Sequence, residues 1–401
     1  MSWLKRSYSW VPHPLRMRCP EVQEKPEILF AAAAERGRML VERWRGERPL
    51  FVCVLAHTDT CLVPGVSAAG ISEELRPLTP AADAEVVLLG GPKCLPALPS
   101  NPLGVPGPSG ITRAALGLAR LRAKFAGAGL RVWPETPCLR LGDTAGGDIQ
   151  LGRAVPDARA LFDRGKALGR SLRGRAPYVV IAESVPGGTT TALAILLALG
   201  FNAEGRVSGS QAGNGHAAKT AVVRRALASA QLLPGDGRRD PLGALEQIGD
   251  PMQPVAVGIA LAAREAGLDV LLAGGSQMLA VAALLSAVGG AAALDGVAVG
   301  TTRWIVEDRW ADITGLAAEV GPELPLVAAN LDFSTARHAG LREYERGLVK
   351  EGVGAGAACI AACLCGGATR QELHATIDAT YDGLLAAPCV PSISYSLTAR
   401  T

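Results

Sequence analysis

The chain is poor in aromatic residues, which make up 4% of its 401 residues, and poor in charged residues, which make up 19%. Its formal net charge of +3 leaves no basic excess of the kind that marks nucleic-acid-binding proteins. Hydrophobic residues nevertheless reach 49%, so the chain can bury a large core and is not intrinsically disordered. Because aromatics are scarce and 48 glycines are present, small side chains must build that core, which favours close packing of helices on a sheet.

Metal-ligand spacing is also missing. The nine cysteines are scattered and include no CxxC pair, which disfavours a structural zinc site. Three of them fall within residues 359–365, in an Ala-rich apolar segment, where we interpret them as small core residues. His57, Asp59 and Cys61 follow a predicted strand, but no second group of ligands lies nearby in the sequence. The sequence therefore predicts no metal site.

Targeting and membrane segments are not predicted either. The N-terminal residues 1–6 lack the apolar core of a signal peptide. The longest apolar run, residues 278–294, contains a Gly-Gly pair and lacks flanking charged anchors, so we interpret it as a buried helix. The sequence thus predicts a cytoplasmic protein without a membrane or nucleic-acid partner.

What the chain does contain is a regular alternation of apolar strands and helices. Strands are predicted at 50–55, 85–89, 130–133, 178–181, 270–273, 297–299 and 326–329, and helices at 28–45, 112–128, 157–172, 192–199, 217–231, 253–266, 354–363 and 371–386. This order predicts an α/β fold, a three-layer Rossmann-like parallel sheet with helices on both faces. A small helical subdomain is expected from the terminal segments.

The predicted domains follow from this pattern. Residues 1–26 carry Trp, Tyr and Pro without periodicity and are expected to form an N-terminal arm. The segments 27–48 and 354–401 are assigned to the small helical subdomain, and 49–353 to the α/β domain. The Pro-rich stretch 92–109 predicts a long irregular loop, which suits a lid or an interface as well as an ordinary surface loop.

The most informative motif is a glycine-rich turn between a predicted strand and a predicted helix. Glu183 precedes the segment Pro-Gly-Gly-Thr-Thr-Thr at 186–191. Unpaired backbone N–H groups at a helix N-terminus bind anions, and glycines let a phosphate approach the backbone. The lysine of a Walker A motif is missing, which disfavours a nucleoside triphosphatase. An ordinary strand-to-helix turn remains about equally compatible with the spacing.

A second carboxylate–glycine segment, Lys-Glu-Gly-Val-Gly-Ala-Gly-Ala, occupies 350–357. Its GxGxxA spacing matches a dinucleotide fingerprint, but the preceding charged segment 341–346 is not a buried strand, which disfavours that interpretation. Glu351, beside a glycine-rich helix start, is better suited to act as a general base near a bound ligand. The small-residue loop 64–70 and Lys219 carry no specific signal alone.

Taken together, these segments resemble the nicotinate-nucleotide–dimethylbenzimidazole phosphoribosyltransferase family, which assembles the nucleotide loop of cobamides. The resemblance runs from about Leu50 to Ala362. Five segments carry it in the family's order: 65–68, 182–190, 219–227, 240–249 and 350–355. The chain departs from the family pattern at Ser184, Gly188 and Val353, which stand where the family has Met, Asn and Thr. Its Pro-Gly-Gly-Thr-Thr-Thr turn is typical of a divergent branch of the family.

The resemblance implies transfer of a 5-phosphoribosyl group from nicotinate mononucleotide to 5,6-dimethylbenzimidazole or a related base, such as adenine, without a cofactor. It assigns catalysis to Glu351 and Glu183. It assigns the phosphate to Gly187, Gly188, Thr189, Thr190 and Lys219, and the base to Val66, Ser67 and Gly352. It also implies a homodimer. Two alternatives stay open: a non-catalytic nucleotide-binding or partner protein of the same fold and, with less support, a dinucleotide-dependent oxidoreductase.

Overall fold

A computed structural model describes residues 26–386, so the predicted N-terminal arm falls almost wholly outside the described residues. An eight-stranded sheet forms the centre of the fold. Its strands are β1 (Ile28–Ala32), β2 (Leu50–Leu55), β3 (Ala123–Gly127), β4 (Cys138–Arg140), β5 (Tyr178–Ser184), β6 (Asp269–Ala273), β7 (Val297–Thr302) and β8 (Leu326–Ala329). They lie in the order β1-β8-β7-β6-β5-β2-β3-β4, and all neighbours pair in parallel except β1 with β8.

Helices cover both faces of this sheet, which confirms the predicted α/β fold. They are α1 (Ala34–Trp44), α2 (Thr79–Leu89), α3 (Ser109–Leu118), α4 (Ala158–Ser171), α5 (Gly188–Ala198), α6 (His216–Ser229), α7 (Pro241–Ile248), α8 (Met252–Glu265), α9 (Ser276–Gly289), α10 (Arg303–Val306), α11 (Ile313–Val320), α12 (Ala339–Arg342), α13 (Ala355–Gly366) and α14 (Arg370–Ala386).

Alternation along the strands divides the interior into two apolar cores. In β5, Val179 and Ile181 face the core that contains α4 to α9 and α11, whereas Tyr178, Val180 and Ala182 face the core that contains α1, α2, α3, α13 and α14. All seven residues of β5 are buried, as expected for a strand covered on both faces.

Four sequence-based assignments are wrong. The predicted helix at 28–45 begins as strand β1, which pairs with the edge of β8, and α1 starts only after Ala33 adopts a left-handed φ of 41°. The predicted strand at 85–89 belongs to α2, whose residues 80–87 are all buried and therefore show no helical period. The predicted helix at 112–128 stops at Leu118, and the expected strand at 130–133 is displaced to β3, which pairs with β2.

The segments 27–48 and 354–401 are predicted to form a small helical subdomain. Strand β1 joins the main sheet, and α1, α13 and α14 contribute to one of its two cores. The proposed division into 27–48 with 354–401 and 49–353 stays a prediction.

The strand order creates a switch point beside β2. The chain leaves β2 toward β3 on one side and leaves β5 toward β6 on the other, although β2 and β5 are neighbours. In open parallel sheets, ligands bind in the crevice outside the carboxyl ends of the strands at such a point. The loop 58–70 after β2 and the glycine-rich turn after β5 both emerge there.

Candidate active site

A cavity lies at this switch point, with about 830 Å³ of space when its part open to solvent is included. Most of the residues predicted from the sequence line it: Val66, Ser67, Glu183, Gly187, Gly188, Thr189, Lys219, Glu351 and Gly352. The two carboxylate–glycine segments, which are far apart in the sequence, therefore contribute to one site.

Thr190 is the exception among the predicted site residues. It is fully buried, does not line the cavity, and its backbone N–H donates to the Gly187 carbonyl at 2.9 Å. Successive residues of a helix point in different directions, and here Thr189 faces the cavity while Thr190 packs inward. The geometry does not place Thr190 on the wall of the cavity, and its role in phosphate binding stays a prediction.

The glycine-rich turn after β5 requires a glycine at position 187. Gly187 has a φ of 81°, and a Cβ added there would lie 2.9 Å from the Cβ of Cys61. A Cβ on Gly188 would collide with the side chain of Gln277. The chain thus passes tightly between two neighbouring segments and enters α5 with the helix N-terminus facing the cavity, an arrangement that suits an anion.

We expect Gly187→Ala to lower the free energy of unfolding by about 1–3 kcal/mol, because a side chain at positive φ is strained and this one also meets Cys61. Gly174→Ala is a matched control, since Gly174 has a φ of 70° but open space around its Cβ position. Urea denaturation compares the two variants. Equal losses would contradict the close packing described for Gly187.

The second carboxylate, Glu351, is held at the start of α13. Its Oε1 accepts from the backbone N–H of Gly352 at 3.0 Å, and its Oε2 accepts from the N–H of Gly356 at 3.2 Å. The turn before α13 places Val349, Lys350 and Val353 at left-handed φ angles between 54° and 66°. Such conformations are costly for non-glycine residues and are concentrated at functional sites.

A backbone hydrogen bond joins the segments that carry the two carboxylates, and the pKa values of both carboxylates are raised. The N–H of Val353 donates to the Glu183 carbonyl at 3.0 Å. Burial raises the pKa of Glu183 to about 8, and the carboxylates of Asp250 and Glu351 add to that shift. Burial also raises the pKa of Glu351 to about 7, although the backbone N–H groups that it accepts oppose the change. Carboxyl groups that titrate near neutrality are typical of acid–base sites.

A network of buried polar side chains packs beside the cavity and joins Lys350 to Lys219 through Asn214. Lys350 Nζ lies 2.6 Å from Asp308 Oδ2 and 2.7 Å from Asn214 Oδ1, and the side chains of Lys350 and Asp308 are only 1% and 5% exposed. Lys219 Nζ donates to the Asn214 carbonyl, and burial, together with the charge of Lys350, lowers the pKa of Lys219 to about 8. The network therefore links the backbone before Glu351 to the predicted phosphate ligand Lys219.

Sequence reasoning missed several members of the site. Asp83, Asn101 and Gln277 line the cavity, and Asp250 lies buried beside α5 with its Oδ2 accepting from Thr191 at 2.5 Å. The Pro-rich stretch 92–109 forms one wall of the cavity through five of its residues: Pro99, Ser100, Asn101, Gly107 and Pro108. Only the position of Lys350 next to Glu351 offered a signal for the supporting network.

His57 and Asp59 do not line this cavity. His57 Nε2 lies 3.0 Å from Asp59 Oδ1, and Arg131 also binds Asp59. Within residues 26–386, no group of three or more His, Cys, Asp or Glu is arranged to hold a metal ion.

The fingerprint-like glycines after Glu351 follow a 3₁₀ turn at Glu343–Arg346 and a loop. No strand directly precedes them, so the strand–turn–helix geometry of a dinucleotide site is missing. No described helix is long and apolar enough to cross a membrane.

Solved structures share this fold. A crystal structure of CobT from Thermus thermophilus aligns with a TM-score of 0.58 at 22% identity, over 85% of this chain and 89% of that chain. A structure of the nicotinate-nucleotide–dimethylbenzimidazole phosphoribosyltransferase from the same organism aligns with a TM-score of 0.54 at 23% identity, over 85% and 90%. At these identities the likeness shows the fold, and it agrees with the resemblance that the motifs indicated.

Other proteins are much more similar to this chain in sequence than these two solved structures are. No protein-family model matches the chain. A UPF0284 protein of Methanothermobacter thermautotrophicus is 42% identical over 320 residues, which span 79% of this chain and 88% of the relative. A UPF0284 protein of Gloeobacter violaceus is 46% identical over 361 residues, which span 88% and 93%. The chain therefore belongs to the UPF0284 family.

Proposed function

We propose that the protein is a phosphoribosyltransferase that moves the 5-phosphoribosyl group of nicotinate mononucleotide to a ring nitrogen of an aromatic base, giving an α-ribazole-type phosphate and nicotinate. The observation that carries the proposal is the meeting of two perturbed carboxylates, Glu183 and Glu351, with an anion-suited helix N-terminus in one cavity. The fold shared with CobT and the order of the motifs support the same reaction.

In this reaction the acceptor base must lose a ring proton as its other nitrogen attacks C1′ of the ribose. Glu351 lines the cavity, and its pKa of about 7 leaves much of it ionised at neutral pH and still basic enough to take a proton. Its carboxylate is held by the N–H groups at the start of α13, so its position is fixed before the substrate binds. Glu351 is therefore the proposed general base.

Glu183 is proposed to act on the donor. With a pKa of about 8, its carboxyl group is largely protonated at pH 7 before the donor binds. The pyridinium ring of nicotinate mononucleotide brings a positive charge, and a cation within about 4–6 Å lowers the pKa of a carboxyl group. Donor binding would thus favour the ionised form of Glu183, which can stabilise the positive charge that develops at the anomeric carbon.

The 5′-phosphate is assigned to the turn at 187–189 and to Lys219. Gly187, Gly188 and Thr189 face the cavity at the start of α5, and Lys219 lines the same cavity. At neutral pH the Lys219 ammonium is charged, since its lowered pKa is about 8. Burial weakens competition from water, so a charge-assisted contact with phosphate is favoured there.

We expect Lys219→Ala to raise the KM for nicotinate mononucleotide by about 10- to 100-fold with a smaller effect on kcat, because a ground-state phosphate contact contributes mainly uniform binding. Wild-type KM should also rise above pH 8, where the free ammonium loses its proton. Steady-state kinetics measures both effects. Lys124→Ala, at an exposed lysine, is the control. An unchanged KM in Lys219→Ala would leave the turn as the phosphate site without Lys219.

Incubation with nicotinate mononucleotide and a panel of bases tests the proposed function. The panel includes 5,6-dimethylbenzimidazole and adenine, and chromatography follows nicotinate and the nucleotide product. Base-dependent nicotinate release is expected. If the folded protein binds nicotinate mononucleotide but releases no nicotinate with any base, the catalytic proposal fails and a nucleotide-binding role takes its place.

Two further parts of the proposal are a homodimer, which rests on the resemblance, and a cytoplasmic location, which rests on the sequence-based prediction given above. Light scattering coupled to size-exclusion chromatography tests the first, and a mass near 41.3 kDa would contradict it because that is the mass of one chain. Fractionation of the source cells tests the second.

A further inference from the structure

Two buried tyrosines hold the Pro-rich wall of the cavity. Tyr344, in the 3₁₀ turn that precedes Glu351, donates from its hydroxyl to the Pro106 carbonyl at 2.9 Å. Tyr381, on α14, donates to the carbonyl of the next residue, Gly107, at 2.7 Å. Both tyrosines are fully buried. Hydroxyl groups from two separate elements therefore bind two consecutive peptide units of the loop.

Close packing fixes the two rings. A Cβ added at Gly110, at the start of α3, would lie 2.6 Å from Cζ of Tyr381, so this ring fills the space beside the helix. Tyr344 packs edge-on against Trp304, with ring centroids 5.1 Å apart. Burial raises the pKa of both phenols, so both hydroxyl groups stay protonated and can donate at neutral pH. The loop is therefore held by side chains whose own positions are fixed.

The segment held by the tyrosines contacts the turn that carries the proposed general base. Gly107 and Pro108 line the cavity. Pro108 lies against Gly352, where an added Cβ would come within 3.0 Å of the Pro108 Cγ. One turn into α3, the Thr112 hydroxyl donates to the Val353 carbonyl at 3.1 Å. Movement of this part of the loop would therefore change the cavity beside the turn at 350–353.

We propose that Tyr344 and Tyr381 are positioning residues for the acceptor base, because their hydroxyl groups hold the loop so that Pro108 packs on Gly352, the glycine that the resemblance assigns to the base. This inference rests on the proposed function. Neither tyrosine lines this cavity, so both act through the loop and not by touching the base. The donor phosphate is assigned to the turn at 187–189, on a different element. Loss of a hydroxyl should therefore weaken binding of the base more than binding of nicotinate mononucleotide.

Tyr344→Phe and Tyr381→Phe remove single hydroxyl groups and keep the rings. A loop that is in place only part of the time binds the base in proportion to that fraction. We expect each variant to raise the KM for the base by about 5- to 50-fold, as for a buried carbonyl that loses its donor, and the KM for nicotinate mononucleotide by less than about 3-fold. Tyr178→Phe is a matched control, because Tyr178 is also fully buried but its hydroxyl has no hydrogen-bond partner within residues 26–386.

Two measurements do not require turnover. The N–H of Asn101 donates to the Val105 carbonyl, and the N–H of Gly107 donates to the Pro99 carbonyl, so hydrogen–deuterium exchange at these two amides reports on the loop. Exchange should be slow in the wild-type protein, at least about 5-fold faster in either loop variant, and unchanged in the control. Calorimetric titration with 5,6-dimethylbenzimidazole and with adenine should show the same weakening in Kd for a base that binds.

The outcomes separate the two proposals. Absence of nicotinate release with every base refutes the proposed function, while exchange and titration still decide whether the tyrosines position the wall for a base. Unchanged exchange in both folded variants overturns the inference, and so does a KM or Kd for the base that rises no more than the value for nicotinate mononucleotide. If only one variant folds, it decides. If neither folds, the wild-type protein decides: unprotected amides at Asn101 and Gly107 overturn the inference, and protection that increases with bound base supports it.

Discussion

Glu351→Gln is expected to lower kcat for phosphoribosyl transfer by about 10²–10⁴-fold, the usual contribution of a positioned general base. Glutamine has nearly the same shape and keeps an oxygen that can accept from Gly352, so the fold and donor binding should persist. What is lost is the group that takes the ring proton of the acceptor base. Steady-state rates and the Kd for nicotinate mononucleotide, measured on the same preparation, separate these effects.

The pH profile gives an independent check on Glu351. In the wild-type protein the base is active when ionised, so kcat/KM should rise with pH through the Glu351 pKa of about 7, before it falls above pH 8 as Lys219 loses its proton and KM rises. This rising limb should be missing from Glu351→Gln. Glu372→Gln, at an exposed carboxylate of α14, is a control that should retain wild-type rates. A Glu351→Gln variant with near-wild-type rates at every pH would remove Glu351 from the mechanism.

Asp308→Ala is expected to lower the free energy of unfolding by about 3–5 kcal/mol, because it leaves a buried lysine without its counter-ion. Lys350 would keep only Asn214 Oδ1, and the Ser208 hydroxyl would lose its acceptor. Asp295→Ala breaks a more exposed pair, with Arg36, and should cost less than about 1 kcal/mol. Urea denaturation measures both losses.

A double variant shows whether the loss comes from the unpaired charge. Asp308→Ala combined with Lys350→Met removes both charges, so it should be more stable than Asp308→Ala alone. If Asp308→Ala changed stability no more than Asp295→Ala, or if the double variant were the least stable of the set, the buried ion pair would not support the turn that precedes Glu351.

Much of the fold could be predicted because its interior strands are continuous apolar runs. The bounds of β2 and β8 match the prediction residue for residue, and β5 begins where expected. The failures have physical reasons. Helix α2 is buried all round, so it lacks the period that marks a surface helix. Strand β1 is an edge strand whose identity depends on pairing with β8, which lies about 300 residues further along the chain and which local sequence cannot show.

The candidate site could also be predicted only in part. The motifs around Glu183 and Glu351 are local in sequence, and the fold brings both to one cavity. The structure does not place Thr190 on the cavity wall, because the spacing of residues in a turn does not reveal which side chain of the first helical turn points outward. Asp83 was missed because it lies in a segment without a motif, and only the packing of α2 against the end of β5 brings it to the cavity.

The configuration of the nucleotide product is the most direct test of the proposed reaction. Direct attack by the base on C1′ of the β-linked donor inverts that centre, so wild-type protein supplied with nicotinate mononucleotide and an accepted base should form an α-linked nucleotide in a 1:1 ratio with nicotinate. Nuclear magnetic resonance of the purified product assigns the linkage. A β-linked product, or nicotinate release without any base-containing nucleotide, would contradict direct transfer in this cavity.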